Sequence, residues 1–170
     1  MDPKHLEINR LELAPIFKDL DDLQLIEVLQ AGRQREVEPD TFLYMQGDEA
    51  ISFYLLLNGR IKLTQVTPDG QEIILRYASP GESFGLIAVL TEQTYPVSAY
   101  VVNDSRILVW QRSEMNTLMG RMPTMAMNAL RILSGRVREF QDRIRELSTE
   151  RVEQRIARAV LRLAHQTGKK

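Results

Sequence analysis

Gly59-Arg60-Ile61-Lys62-Leu63-Thr64-Gln65-Val66, then Pro68-Asp69-Gly70, then Gln71-Glu72-Ile73-Ile74-Leu75-Arg76-Tyr77 is the stretch that decides the fold. The two runs are rich in β-branched and aromatic residues and alternate at period two. Between them proline presets φ and glycine accepts a positive φ, the chemistry of a hairpin turn. Outward from this hairpin, residues 33–112 keep the same style, with short apolar runs punctuated by Gly, Pro and Asp about every ten residues. Corners fall at Gln46-Gly47-Asp48-Glu49, Asn58-Gly59, Pro80-Gly81-Glu82 and Asn103-Asp104-Ser105. The pattern predicts an all-β barrel or sandwich.

Helices flank this region. Leu23, Leu25, Ile26, Val28 and Leu29 recur at helical spacing behind the acidic start at Asp21, which predicts a short helix over 21–31. Ser113 is expected to start a second short helix over 114–119, and Pro123 suits the first turn of a much longer one. In that long helix Ala126, Leu130, Leu133, Val137, Phe140, Ile144 and Leu147 are separated alternately by four and three residues, an unbroken heptad stripe. Arg131, Arg136, Arg138, Glu139, Asp142, Arg143, Arg145 and Glu146 flank it. A stripe so narrow reads as the seam of a parallel homodimer. Each buried Leu or Ile there contributes about 1.5–3 kcal/mol, while Gly135 weakens the helix by about 1 kcal/mol relative to Ala. Ser148 and Thr149 are expected to form a new N-cap and hinge. A second apolar stripe follows at Val152, Ile156, Ala159, Val160 and Leu163, whose covering partner is expected in a small following domain.

The 170 residues, 44% of them hydrophobic, suffice for one ordinary core and an appended element. No run approaches the roughly 20 apolar residues of a membrane span, and the charged start lacks a signal-peptide core, so a cytoplasmic protein without membrane contact is expected. Zero cysteines exclude disulfides, thiolate zinc sites, iron–sulfur clusters and cysteine nucleophiles. Residues 1–120 carry 10 Lys and Arg against 18 Asp and Glu, whereas residues 121–170 carry 12 against 5. A basic back half suits either approach to a polyanion or a solvated arginine face on a long helix.

Gln46-Gly47-Asp48, Phe53 through Lys62, and Pro80-Gly81-Glu82-Ser83-Phe84-Gly85 resemble the glycine-punctuated core of the cyclic-nucleotide-binding domain. The long helix, followed by Val152-Glu153-Gln154-Arg155-Ile156-Ala157-Arg158 and Leu161-Arg162-Leu163-Ala164, is similar to the dimer helix and first DNA-domain helix of Crp/Fnr transcription regulators. The resemblance implies a mainly β fold: a double-stranded β-helix, or jelly-roll, sensor barrel with short flanking helices and a long coiled-coil dimerisation helix. It divides the chain into a sensor over 1–120, a dimerisation helix over 121–147, and a hinge with the first helix of a truncated DNA-binding domain over 148–170. It also implies an effector pocket drawn from Gly81, Glu82, Phe84, Gly85, Leu86, Ile87, Ala88, Val97, Ser98 and Ala99.

Nucleotide-binding members carry a ribose-binding glutamate after the Gly85-like position and a phosphate-binding arginine before the Ser-Ala pair. Here those positions are Leu86 and Val97. Loss of the charge-assisted pair costs on the order of 1.5–3 kcal/mol, so cyclic AMP is disfavoured. The apolar run Leu86-Ile87-Ala88-Val89-Leu90 suits a hydrophobic effector of unknown identity, and some haem-sensing branches have similarly apolar pockets. Haem ligands would have to come from His5, His165, a methionine such as Met45, Met122, Met125 or Met127, a tyrosine, or the terminal amine; the methionines near Pro123 read more simply as core filling. A cupin-like enzyme is the rival from another class, but residues 33–112 contain no histidine and no nucleophile–base pair. The expectation is therefore a non-enzymatic regulator that, when complete, binds promoter DNA, though not through these residues. A stand-alone regulatory or protein-interaction module is the alternative.

Overall fold

The computed structural model describes residues 11–91, 93–149 and 160–161, with the side chains of 143 and 146–149 outside the described set. The order is a 3-10 turn at Pro15–Phe17, α1 (Asp22–Ala31), β1 (Arg33–Val37), β2 (Phe42–Tyr44), β3 (Ser52–Val66), β4 (Glu72–Ala78), β5 (Ser83–Phe84), α2 (Leu86–Leu90), β6 (Ser98–Gln111), α3 (Arg112–Arg121) and α4 (Pro123–Thr149). All strand pairs are antiparallel, in the order β1-β6-β3-β4, with β2 added on β6 and β5 on β3.

Two long strands organise the roll. β3 and β6 pair from Ser52↔Gln111 to Thr64↔Ser98, with register shifts confined to Leu56–Ile61. Those shifts bend both strands, because bulges leave residues unpaired and increase local twist. One half is then flanked by β1 and β5, the other by β2 and β4. The predicted hairpin forms as read: the Thr67 amide donates to the Gln71 carbonyl and the Gly70 amide to the Thr67 carbonyl, both at 2.9 Å.

The helical ends obey local rules. The Asp21 carboxylate caps α1 by accepting from the Gln24 amide at 2.9 Å, and the Gln24 side chain accepts from the Asp21 amide at 3.0 Å. α3 starts earlier than the sequence reading, at Arg112 rather than after Ser113. The cap is Gln111, whose amide donates to Glu114 at 2.6 Å; the last residue of β6 thus leads directly into the helix. Under the roll Phe17, Phe53 and Trp110 form a second core, with ring centroids 5.4–6.2 Å apart. Trp110 donates to the Val28 carbonyl at 2.8 Å, fixing α1 against β6.

α4 uses two different faces. Met125, Asn128 and Ala129 are buried, as is Met122 just before the helix, and Asn128 donates to the carbonyls of Ile16 and Lys18 at 3.1 and 2.7 Å. The heptad residues Leu130, Val137, Phe140 and Ile144 are instead 53–64% exposed, while Ala126 and Leu133 are half-buried. The chain divides into two units at Leu130 and Arg131. The N-cap expected at Ser148 and Thr149 is not formed there, since α4 remains helical through Thr149; Ser and Thr are only mildly unfavourable inside a helix. The side chain of Leu147, the stripe from Val152 through Ala159, Leu163, and both histidines lie outside the described residues.

Candidate functional site

Two left-handed glycines flank β5, Gly81 before it and Gly85 after it. Gly81, at φ 87°, donates from its amide to the Leu56 carbonyl at 2.8 Å, and Gly85, at φ 83°, starts α2. A Cβ on Gly85 would stand 3.1 Å from the Ser52 carbonyl oxygen and 3.4 Å from the rings of Tyr54 and Tyr95. Close approach as well as positive φ therefore demands glycine here.

Glu82 is already committed. Its Oε2 accepts from the Arg76 guanidinium and from the Ser79 amide, each at 3.1 Å, and Arg76 also donates to the Ser83 carbonyl at 3.3 Å. The pair closes the corner between β4 and β5 through one oxygen of the carboxylate. Ser98 is likewise used, accepting at Oγ from the Gln46 amide at 2.9 Å. Ala99 is buried opposite Leu63, Val97 is half-buried, and Leu86 is only 4% exposed. Ala88 is buried in the short α2, with Ile87 half-buried beside it. Of the residues expected to form a pocket, Phe84 and Gly85 stand against the interior cluster described next.

That cluster consists of Tyr44, Tyr54, Phe84 and Tyr95. Tyr44 stacks on Tyr95 with centroids 3.7 Å apart and planes at 16°; Tyr54 stacks on Phe84 at 5.2 Å and 5°. Tyr44 joins the two pairs, 5.5 Å from Tyr54 and 6.4 Å from Phe84. Sheet pairing explains the placement: Tyr54 faces Phe84 across β3 and β5, and Tyr44 lies opposite Ala99, whose small side chain leaves room for a ring. Tyr95 donates to the Ser52 carbonyl at 2.6 Å and accepts from the Ser52 amide at 3.0 Å. Burial pushes the Tyr44 phenol well above the usual phenol range; the neighbouring Tyr95 and Tyr54 add to the rise and Arg76 opposes it. Burial likewise raises Tyr54 and Tyr95. All three are therefore neutral hydrogen-bonding groups at physiological pH.

Sequence reasoning did not single out Tyr44, Tyr54, Arg76 or Tyr95 as residues of the site. Period-two alternation marks Tyr54 as one side of a strand, but no sequence signal joins it to Tyr44 or to Tyr95 across three separate segments.

Among the described residues, the anchors that the resemblance implies for a cyclic nucleotide or for haem are not found. Where the resemblance implies a ribose-binding glutamate and a phosphate-binding arginine, the chain has Leu86 and Val97, which supply no charge. For haem, Met122 and Met125 are packed in the core, whereas Met45 and Met127 are about half exposed; phenols held protonated by burial are poor iron ligands. Among the described residues no group of three His, Cys, Asp or Glu side chains could hold a metal ion, and no described helix is long and apolar enough to cross a membrane.

The bent β3–β6 ribbon, the Gly81–Gly85 corner and the helix following the roll define a sensor domain of the cyclic-nucleotide-binding type. A family model described as the cyclic nucleotide-binding domain matches residues 34–122. The cyclic AMP receptor protein of Thermus thermophilus is 31% identical over 153 residues, 90% of this chain and 71% of that protein. The crystal structure of the Thermus thermophilus catabolite activator protein superposes with a TM-score of 0.76 at 31% identity, covering 90% of this chain and 72% of the other. The sensor domain of the regulator DNR from Pseudomonas aeruginosa shares the fold, with a TM-score of 0.71 at 24% identity over 89% of this chain and all of that domain. The chain belongs to the Crp/Fnr family of transcription regulators and contains its sensor domain.

Proposed function

We propose that this chain is the effector-sensing and dimerisation portion of a non-enzymatic, DNA-binding transcription regulator. A small effector held in the β-roll controls the orientation of a DNA-binding domain through a paired α4. Gly81, Glu82, Phe84, Gly85, Leu86, Ile87, Ala88, Val97, Ser98 and Ala99 form the cassette that responds to the effector, and the hinge expected near Ser148 and Thr149 falls at the last described residues of α4. An effector acts by binding one arrangement of the dimer more tightly than the other.

The observation that carries this reading is the exposed heptad stripe on the helix that leaves the sensor. Leu130, Val137, Phe140 and Ile144 are each more than half exposed in one chain, and their four-three spacing supplies the knobs of a two-stranded coiled coil. Pairing removes this apolar surface from water, the dominant favourable term in such association. Cyclic AMP is disfavoured as that effector, since Leu86 and Val97 stand where the family resemblance expects its charged anchors.

Native mass spectrometry tests the assembly. The expected species has twice the 19.6 kDa mass of one chain, and Phe140→Glu converts it to monomer by placing unpaired charge in the seam. A wild-type monomer at micromolar concentration would overturn the reading in favour of a protein-interaction module.

A further inference from the structure

We propose that Asn58 is a site of spontaneous covalent modification, at which the Gly59 amide closes on the Asn58 carboxamide and converts asparagine into aspartate and isoaspartate. The inference concerns the ageing of the sensor and does not depend on its reading as a regulator.

The step is an intramolecular acyl transfer. The Gly59 backbone nitrogen attacks Cγ of Asn58; a C–N bond forms, the Cγ–Nδ2 bond breaks, and the amide nitrogen takes the glycine proton and leaves as ammonia. Water then opens the cyclic imide at either carbonyl, giving aspartate or isoaspartate. Glycine in second place favours closure, because without a Cβ its nitrogen is unhindered and its backbone adaptable. Of the five asparagines in the chain, only Asn58 is followed by glycine.

The fold leaves this pair open to the reaction. The Asn58 side chain is exposed. Asn58 lies opposite Arg106 and Arg60 opposite Asn103, whereas Gly59 between them has no cross-strand partner, since the pairing of β3 with β6 shifts register on both sides of Asn58. Arg60 follows the pair and Arg106 faces it across the sheet, and positive charge so near favours the negative charge that builds during attack on the carbonyl. The pair Asp69-Gly70 shows the opposite case. It is exposed as well, but the Gly70 amide donates to the Thr67 carbonyl at 2.9 Å. The Asp69 carboxylate accepts from the Thr67 hydroxyl, which holds the carboxyl below the usual carboxylate range. A carboxylate anion resists attack by a nucleophile, so Asp69 is spared.

The two products differ in consequence. Aspartate at position 58 keeps the backbone length and places its charge opposite Arg106. Isoaspartate adds a carbon to the main chain just before Gly59, where a single added Cβ would already stand 2.0 Å from the Ser105 Oγ and 2.7 Å from the Asp104 carbonyl oxygen. The bend of the roll has no room for the longer chain.

Peptide mapping by mass spectrometry after prolonged incubation of the whole native chain tests the proposal. The amide-to-acid mass change is expected at Asn58 ahead of Asn103, Asn116 and Asn128, faster in mildly alkaline than in mildly acidic buffer, with Asp69 keeping its normal linkage. Asn58→Gln is expected to abolish it over the same period, because glutamine must close a larger ring. An intact Asn58 in the native chain, alongside conversion in urea, would show that the fold protects the pair and would overturn the proposal; so would conversion of Asn103 at the same rate. In thermal unfolding the separated isoaspartyl form is expected to melt below Asn58→Asp, and equal midpoints would overturn the stated consequence for the bend.

Discussion

Gly59 carries the bend of the roll at φ 96°. A Cβ there would lie 2.0 Å from the Ser105 Oγ and 2.7 Å from the Asp104 carbonyl oxygen. The Ser105 hydroxyl cannot simply retreat, because it accepts from the Arg60 amide at 3.2 Å and donates to the Asn103 carbonyl at 2.7 Å. Gly59→Ala combines a left-handed backbone with the loss of this bridge and is expected to destabilise the fold by at least about 2 kcal/mol in urea denaturation. Gly47 provides the contrast. Its φ is 92°, but nothing lies within 4 Å of an added Cβ, so Gly47→Ala bears only the conformational strain, about 1 kcal/mol. Similar losses for the two variants would mean that the bend does not depend on close packing over Gly59.

At the scale of elements, α4 divides its labour. Met125, Asn128 and Ala129, with Met122 just before the helix, are buried, whereas most of the heptad face is exposed. Gly135 lies off the seam, two residues after Leu133 and two before Val137, and an added Cβ there meets nothing within 4 Å. Gly135→Ala is therefore expected to stabilise the helix by about 0.5–1 kcal/mol without touching the seam, read as a higher thermal midpoint. If Gly135 serves as the bend through which an effector signal passes, the same variant will weaken the response of the regulator to its effector while raising stability. At the other end of the sheet, the β3–β4 turn, the Asp21 cap and the start at Pro123 were legible because each rests on residues within a few positions of one another. The true start of α3 was not, since Gln111 belongs both to the strand and to the cap.

For the molecule as a whole, the buried phenols set a limit on alkaline stability. Tyr44, Tyr54 and Tyr95 have raised proton affinity in the folded state. Below pH of about 10 they are protonated in both the folded and the unfolded chain, so their contribution is fully present. As pH rises past that value the unfolded chain gives up its phenolic protons while the folded one resists, and stability falls. Part of the tyrosinate absorbance near 295 nm is thus expected to appear together with unfolding above pH of about 10; smooth titration of every tyrosine in a chain that stays folded would contradict the buried cluster. The uneven charge along the chain bears on nucleic acid. The basic residues 121–170 favour weak, salt-sensitive attraction to phosphate, and sequence-specific DNA binding requires an element that reads base edges. The 170-residue chain is expected to show no operator preference in a gel-shift or anisotropy titration, and a sub-micromolar specific complex would contradict that division of roles.

The sequence by itself determined the alternating strands, the glycine corners at Gly81 and Gly85, the apolar residues at Leu86 and Val97, and the heptad spacing. All of these are local or periodic properties, set by φ preferences and by side-chain repeats of two, three or four residues. Only the tertiary structure decided that Glu82 pairs with Arg76, that Ser98 is held by Gln46, and that Tyr44, Tyr54, Phe84 and Tyr95 meet inside the roll. Those meetings join segments 6 to 52 residues apart, and they depend on strand register and bulge position, which the pattern of side chains along a single strand does not encode.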